Sequence, residues 1–325
     1  MRVAAIDLGT NTFLCLIAEI TEGRVSKVVA DETELVRLGQ SVDKTRRFHP
    51  EALERAQACL KRFSELIKSH QVDRVRAVAT SAARDALPGE NDQSEGPGPT
   101  RRTAHLSSPR QENELLQICQ RLNIPVEVIS GDREAELTFQ GATSELPEAT
   151  GTAVIDVGGG STEIVLRRRS GDLLGRSLDI GSVRLTEKFL SRASPKVGDL
   201  EAMEKYIRDQ LNSFEVPFSE IQRVIAVAGT PTTIAAIEQG IEFQRDKIDA
   251  FVLTTDVLNK WVRVFAETRP REIAEQYRIE EKRADVILAG TMILNCALKY
   301  LRQRILTVSI RGVRYGLAVD IANRG

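Results

Sequence analysis

Two short segments of the chain repeat one pattern at a distance of 149 residues. They read IDLGTNT at 6–12 and IDVGGGS at 155–161, and each places an aspartate at the end of an apolar run and a hydroxyl residue after a glycine turn. Apolar, β-branched runs follow at 13–20 and 163–166, so each turn is predicted to join two strands of a hairpin. This internal repeat predicts two structurally similar halves.

Helical and strand patterns alternate along the rest of the chain. A helix is predicted from Pro50, with apolar residues at positions 53, 56, 60, 63 and 67, and a strand at 75–79. Helices at 114–122 and 132–140 flank a further strand at 126–129. This alternation favours an α/β fold. The segment 87–110 is rich in Pro, Gly and Ser and is predicted to be a flexible surface insertion.

Composition limits the class of protein. With 325 residues, 42% of them hydrophobic, the chain can bury a large core and is expected to form two domains. Lys and Arg number 45 against 46 Asp and Glu, so no global charge favours nucleic acid or a membrane surface as partner. The four cysteines form no CxxC pair, and no signal peptide or membrane span is apparent, which favours reduced thiols and a cytoplasmic protein.

The two glycine turns have the chemistry of a phosphate site. Glycines let backbone N–H groups converge on an anion, and Thr10, Asn11 and Ser161 add side-chain donors. Asp7 and Asp156 would bring one carboxylate from each half, and such hard oxygen ligands suit Mg²⁺. The alternative for either aspartate alone is a turn-capping role.

Other glycine motifs fit less well, and a third turn is open to two interpretations. A dinucleotide fingerprint would need a helix after Gly158, Gly159 and Gly160, whereas the following residues resemble a strand. No Gly-Lys-Ser/Thr ending of a P-loop occurs. At the third turn, Gly229 and Thr230 precede a predicted helix with Thr230 as N-cap, and this turn would either bind an anion or only cap the helix.

Attack by water on a phosphate also requires a carboxylate that orients the water. Glu134, in the first turn of a predicted helix, and Glu163, just after the second glycine turn, are both candidates. Sequence spacing does not choose between them. An acid in the first turn of a helix is commonly there to stabilise the helix through its interaction with the helix dipole, without a catalytic role. Arg84, at the end of the predicted strand 75–79, is a candidate phosphate ligand.

Seven ordered segments resemble the exopolyphosphatase/guanosine pentaphosphate phosphatase family and cover nearly the whole chain. They lie at 5–11, 79–86, 128–135, 156–163, 181–185, 228–230 and 312–314. The resemblance implies two ribonuclease-H-like domains of the actin and sugar-kinase superfamily, with a cleft between them. The expected domains are 1–125 with 311–325 and 126–310, and a final helix at 313–321 would pack on the first domain.

The resemblance also implies roles for individual residues. Glu134 matches the catalytic carboxylate, and Asp7, Asp156 and Glu163 match acids associated with Mg²⁺, with Mn²⁺ as the other candidate metal. Phosphate-cradling positions are matched by Asn11, Arg84, the triple glycine 158–160 and Ser161; Thr10, Gly229 and Thr230 complete the expected phosphate-binding set on chemical grounds.

The expected function is therefore hydrolysis of terminal phosphate from inorganic polyphosphate. Removal of the 5′-phosphate of pppGpp, a reaction of the stringent response, is the nearest alternative, and an actin-like ATPase, a sugar kinase or a catalytically silent regulator is more distant. Longer relatives continue beyond the position of Gly316 into helical domains that help to bind long chains of polyphosphate. This sequence ends soon after Gly316, so shorter polyphosphate or a nucleotide is also an expected substrate. Family members are often dimers, so a homodimer is one expected state.

Overall fold

The first sheet contains the amino-terminal hairpin. The structure is a computed structural model that describes residues 1–86, 114–190 and 195–323, so the predicted insertion at 87–110 lies outside the described residues. Five strands are ordered β3-β2-β1-β4-β5. Their bounds are β1 Arg2–Leu8, β2 Thr12–Thr21, β3 Arg24–Leu35, β4 Arg74–Ala79 and β5 Val126–Val128. The strands β1, β2 and β3 form an antiparallel meander, whereas β4 is parallel to β1 and β5 is parallel to β4.

The second sheet repeats this arrangement. Its order is β10-β11-β9-β6-β7-β8, with β6 Thr152–Val157, β7 Thr162–Arg167, β8 Leu173–Leu178, β9 Arg223–Val227, β10 Val252–Thr254 and β11 Ile305–Val308. The strands β6, β7 and β8 form an antiparallel meander, and β9 and β11 continue the sheet in parallel. Both sheets thus contain a three-stranded meander extended by two parallel strands, and the second sheet adds β10, which pairs antiparallel with β11. The sequence repeat is confirmed as a structural duplication.

Helices cover the sheets and follow the predicted periodicity closely. The helix predicted from Pro50 begins there, with His49 as its N-cap. The bounds are α1 Val42–Thr45, α2 Pro50–Ser69, α3 Ser81–Asp85, α4 Glu114–Arg121, α5 Gly131–Ala142, α6 Ser182–Phe189, α7 Val197–Asn212, α8 Gly229–Gln239, α9 Arg245–Ile248, α10 Thr255–Glu267, α11 Pro270–Tyr277, α12 Glu281–Tyr300 and α13 Val313–Asn323, with a 3₁₀ turn at Phe218–Glu220.

Each sheet has its own core, and the final helix returns to the first one. Residues of α2 and α4, including Leu60 and Leu115, pack on one face of the first sheet. On the other face, Val313 and Leu317 of α13 join Val3 in a second cluster. The strand β5 pairs with β4 in this sheet, and the expected domain limit at residue 125 stays a prediction. The largest cluster covers one face of the second sheet and includes residues of α7, α10 and α12, and residues of α5 pack on the other face.

Two expectations from composition can be compared with the structure. Within the described residues, no helix combines the length and the apolar character that a membrane span requires. The thiols of Cys15, Cys59, Cys119 and Cys296 are all free and buried. Burial raises the pKa of each of these thiols above its ordinary value, to about 12, 12, 12 and 11 respectively. They are therefore packing residues of low nucleophilicity.

Candidate active site

The carboxyl ends of β1, β4 and β5 bring three segments to one edge of the first sheet. Because these strands are parallel, Asp7 lies opposite Val78 and Ala79 lies opposite Val128. The turn at 9–11, the helix α3 and the start of α5 therefore leave the sheet on the same side. Ligands of open α/β sheets bind at this edge, and Glu134 is the sixth residue after the end of β5.

The second sheet places its turns in the same way. Asp156 lies opposite Val227 in the parallel pair of β6 and β9, so the turns at 158–161 and 228–230 share one edge. The helix α8 begins at Gly229 with Ala228 as its N-cap, so the prediction of Thr230 as N-cap is wrong. The positive φ of Ala228, 78°, reorients the chain sharply enough for the helix to begin there.

The duplicated turns face each other at contact distance. A Cβ atom on Gly159 would lie 3.0 Å from Cβ of Thr10 and 3.1 Å from Cβ of Asn11. A Cβ atom on Gly160 would lie 2.5 Å from Oγ of Ser81. Any larger residue at these positions would push the two turns apart. Gly159 and Gly160 are thus required by the close approach of the two halves.

The backbone of the second turn is oriented as an anion-binding nest. The carbonyls of Gly158 and Gly159 accept hydrogen bonds from the amides of Ser182 and Val183, both at 2.9 Å, at the start of α6. In a trans peptide the next N–H points away from the carbonyl. The amides of 159–161, which donate no backbone hydrogen bond within the described part of the chain, therefore point away from α6. We call these three amides the amide nest, because successive unpaired amides at a turn can bind phosphate oxygens.

Four buried carboxylates occupy the cleft between the halves. Asp7, Glu134, Asp156 and Glu163 have exposed fractions of 9%, 7%, 7% and 1%. Burial, followed by the charges of Glu134 and Asp156, raises the pKa of Asp7 well above its usual range. The same two causes, burial and then the neighbouring acids, raise the pKa of Glu163. The charges of Asp7 and Asp156 therefore act on each other in the folded protein.

Glu134 differs from the other acids because a cation holds it. Burial raises its pKa, while the Arg84 guanidinium and a hydroxyl bond from Thr80 oppose that rise. Nη1 of Arg84 lies 2.8 Å from Oε2 of Glu134 and also donates to the carbonyl of Ile129 at 2.9 Å. Glu163 receives hydroxyl hydrogen bonds instead, from Ser177 at 2.6 Å and from Ser161.

The acid cluster has the chemistry of a cation site. Oδ1 of Asp7 and Oε2 of Glu163 are buried without a hydrogen-bond partner among the described residues. Oxygen donors of this kind, gathered where their charges repel, suit Mg²⁺ or Mn²⁺. Among the described residues, however, no three Asp, Glu, His or Cys side chains are already arranged as a ligand set. The donor chemistry therefore fits a divalent metal, and the assignment of Asp7, Asp156 and Glu163 to it stays a prediction.

The predicted phosphate ligands differ in how they are used. Oγ1 of Thr10 accepts the amide hydrogen of Ala82 at 3.2 Å, which ties the first turn to α3. Oδ1 of Asn11 is buried and has no partner among the described residues, so it can accept a hydrogen bond from a bound group. Arg84 binds Glu134 as described above. Ser161 is 2% exposed, and its carbonyl closes the turn by accepting the amide of Gly158 at 3.0 Å.

The third turn contacts side chains of α12. A Cβ atom built on Gly229 would lie 2.2 Å from Nη1 of Arg283, which belongs to α12. A Cβ atom built on Gly290, also in α12, would lie 2.3 Å from Oγ1 of Thr230. Desolvation by burial lowers the pKa of Arg283 despite the charge of Glu280. Arg283 therefore places a poorly solvated cation at the start of α8, which also attracts anions.

Sequence reasoning did not assign three side chains that the structure brings to the site. Thr138, one helical turn beyond Glu134 on α5, donates to Oδ2 of Asp156 at 3.1 Å. Arg184 donates through Nε to the carbonyl of Gly160 at 2.7 Å. Arg283 is the third. Helical spacing from Glu134 could have indicated Thr138, whereas the partner of Arg184 depends on the tertiary structure.

Fold and site together define an α/β protein built from two similar sheets, with an acidic, glycine-lined cleft between its halves. The sequence model of the Ppx/GppA phosphatase family matches residues 16–91 and 108–324. The chain belongs to that family.

Individual relatives extend over the whole chain. Exopolyphosphatase 2 of Mycobacterium tuberculosis is 35% identical over 333 residues, covering 99% of this chain and 98% of the relative. The crystal structure of an exopolyphosphatase from Cytophaga hutchinsonii superposes with a TM-score of 0.81 at 27% identity, covering 100% of this chain and 98% of that one. The Ppx/GppA family member of Aquifex aeolicus gives a TM-score of 0.77 at 29% identity, with coverages of 100% and 98%.

Proposed function

We propose that this protein is an exopolyphosphatase, which hydrolyses terminal phosphate from inorganic polyphosphate. The observation that carries the proposal is the meeting of an amide nest, a cluster of buried acids and an Arg84-held glutamate in one cleft. Two relatives with similarity along the whole chain bear the name exopolyphosphatase, which supports the same substrate class. The reaction cleaves a phosphoanhydride bond with water as nucleophile.

The amide nest would hold the terminal phosphoryl group. The amides of 159–161 donate no backbone hydrogen bond within the described residues, and the Cβ positions of Gly159 and Gly160 lie against Thr10 and Asn11 of the first turn. Donors fixed in advance stabilise charge that develops on the phosphoryl oxygens without a cost of reorganisation during the reaction. The third turn, with Gly229, Thr230 and the adjacent Arg283, would attract phosphates further along the substrate.

Glu134 would be the general base. Its raised pKa makes its carboxylate a better proton acceptor than an exposed glutamate, and Arg84 keeps it ionised and oriented. It would take a proton from water as the new oxygen–phosphorus bond forms and the bond to the leaving phosphate breaks. Glu163 is less suitable for this role because two serine hydroxyls hold its carboxyl group and it is 1% exposed.

Asp7, Asp156 and Glu163 would hold a divalent cation, with Mg²⁺ favoured over Mn²⁺. When bound, the cation would neutralise charge on the phosphate chain and on the acids themselves. Thr138 would keep Asp156 oriented for this role through its hydroxyl hydrogen bond. A cytoplasmic location and a homodimer remain expectations of the family resemblance.

The role of Glu134 is tested by Glu134→Gln, which keeps the shape of the side chain and removes the basic oxygen. Phosphate release from polyphosphate should fall by about 10²–10⁴-fold, the range of general-base contributions, while substrate binding is retained. Glu136→Gln is the matched control, because Glu136 lies on the same helix, is half exposed and pairs with Arg133. Near-normal turnover by Glu134→Gln would remove Glu134 from this role.

The substrate is tested by phosphate release from polyphosphates of graded length, pppGpp and ATP, each with Mg²⁺, with Mn²⁺ and with chelator. We expect the highest kcat/KM with a polyphosphate and none without metal. A higher kcat/KM for pppGpp would identify the nucleotide as substrate. Saturable binding without phosphate release under every condition would identify a regulator, and phosphoryl transfer to a sugar would identify a kinase.

A further inference from the structure

Arg184 makes three polar contacts, two of which cross between the two halves. It lies in the first turn of α6, and its side chain is 10% exposed. Nε donates to the carbonyl of Gly160 at 2.7 Å, Nη2 donates to Oδ2 of Asp85 at 2.5 Å, and Nη1 binds Asp43. A planar guanidinium can satisfy three acceptors in a fixed geometry, which an ammonium group cannot.

The contact with Gly160 acts on the amide nest. The carbonyls of Gly158 and Gly159 accept hydrogen bonds from backbone amides of α6. Among the described residues, the carbonyl of Gly160 accepts its hydrogen bond from a side chain instead, from Nε of Arg184. Because the amide of Ser161 belongs to the same peptide plane, Arg184 fixes the direction in which that N–H points. Loss of the contact would free this peptide to rotate.

The contact with Asp85 acts on the other side of the cleft. Asp85 follows Arg84 directly at the end of the five-residue helix α3, and Arg84 holds Glu134 at 2.8 Å. Asp43 lies in α1, which the first half supplies as well. One guanidinium therefore connects the phosphate turn of the second half to the short helix that orients the base. Burial of such a charge is tolerated because two carboxylates, those of Asp43 and Asp85, pair with it.

We propose that Arg184 is a positioning residue that sets the distance between the amide nest and the Arg84–Glu134 pair. The inference rests on the proposed function, because it presumes that Glu134 and the nest act on the same phosphoryl group. It adds a residue that contacts neither the base nor the phosphate. Its effect should appear in the catalytic step, since attack requires the water and phosphorus to be aligned within a fraction of an ångström.

The test compares Arg184→Gln, Arg184→Lys and Asp85→Asn in phosphate release from polyphosphate, with unfolding curves recorded for each variant. Arg184→Gln should lower kcat by about 10–100-fold, the cost of a misplaced reacting group, with KM changed by less than about threefold. Arg184→Lys should restore little of this loss, because charge alone does not hold three acceptors. Arg46→Gln is the control, because Arg46 pairs with Asp85 at 3.6 Å but is 65% exposed.

A double variant separates positioning from general stability. Adding Asp85→Asn to Arg184→Gln should lower kcat little further, because both changes break the same connection. Unchanged kcat in folded Arg184→Gln, a change in KM alone, or full recovery by Arg184→Lys would each overturn the proposal. Failure of the proposed function is recognised separately, by a parent protein that releases no phosphate or by an active Glu134→Gln.

Discussion

Asp156→Asn is expected to stabilise the metal-free protein while abolishing its activity. Asp156 is 7% exposed, and burial, followed by the charge of Glu134, raises the pKa of its carboxyl group from 3.8 to about 7. The buried carboxylate therefore weakens the fold at neutral pH. Asparagine keeps the size of the side chain and an oxygen that can accept the hydrogen bond from Thr138.

The magnitude follows from the pKa. A rise from 3.8 to about 7 corresponds to about 4 kcal/mol at about 1.4 kcal/mol for each pH unit. Burying the amide of an asparagine costs about 1–3 kcal/mol. The net gain in the free energy of unfolding should therefore be about 1–3 kcal/mol at about pH 8.

The sign of the pH dependence is also determined. Below pH 3.8, the ordinary pKa of an aspartate, Asp156 is protonated in both the folded and the unfolded state. Its charge then makes no difference to the free energy of unfolding between variant and parent. Between 3.8 and about 7 the folded parent holds a proton that the unfolded chain has lost, so the parent loses stability as pH rises. The advantage of Asp156→Asn should grow through this window and then level off.

Urea unfolding in chelator, followed by tryptophan fluorescence, measures this effect. Trp261 is the only tryptophan of the chain and packs in the same core as the strand that carries Asp156. Added Mg²⁺ should stabilise the parent more than the variant, because the variant has lost a ligand. If the variant is no more stable than the parent at about pH 8 in chelator, the carboxylates do not repel one another as described.

Two further changes have definite expectations. Gly160→Ala places a Cβ atom 2.5 Å from Oγ of Ser81, so it should separate the turns and lower phosphate release by at least about tenfold; Gly198→Ala, whose Cβ meets nothing within 4 Å, is the control. Asp31→Asn should lower the free energy of unfolding by about 3–5 kcal/mol, measured by urea titration, because it leaves the buried Arg314 without its carboxylate partner, now at 2.7 Å. Unchanged stability would show that Arg314 finds another acceptor.

Local patterns were sufficient to predict the duplicated architecture. An apolar strand, an aspartate, a glycine turn and a second apolar strand specify a hairpin from residues adjacent in sequence, and the segments that begin with Ile6 and Ile155 both form one. The helix from Pro50 was equally predictable, because its apolar period and its proline at the first turn are local signals. The start of α8 was not predictable in this way, because an alanine in the sequence does not indicate that its backbone will adopt a positive φ, as Ala228 does.

The sequence by itself determined the two hairpins and the acids at their strand ends, because those features depend on spacing within a few residues. The tertiary structure decided what each acid can do. Arg84 reaches Glu134 across 50 positions and Arg184 reaches Asp43 across 141, and the pKa of each carboxyl group depends on burial and on charges brought from the other half. Such long-range contacts arise only when the two sheets pack together, so no local pattern encodes them.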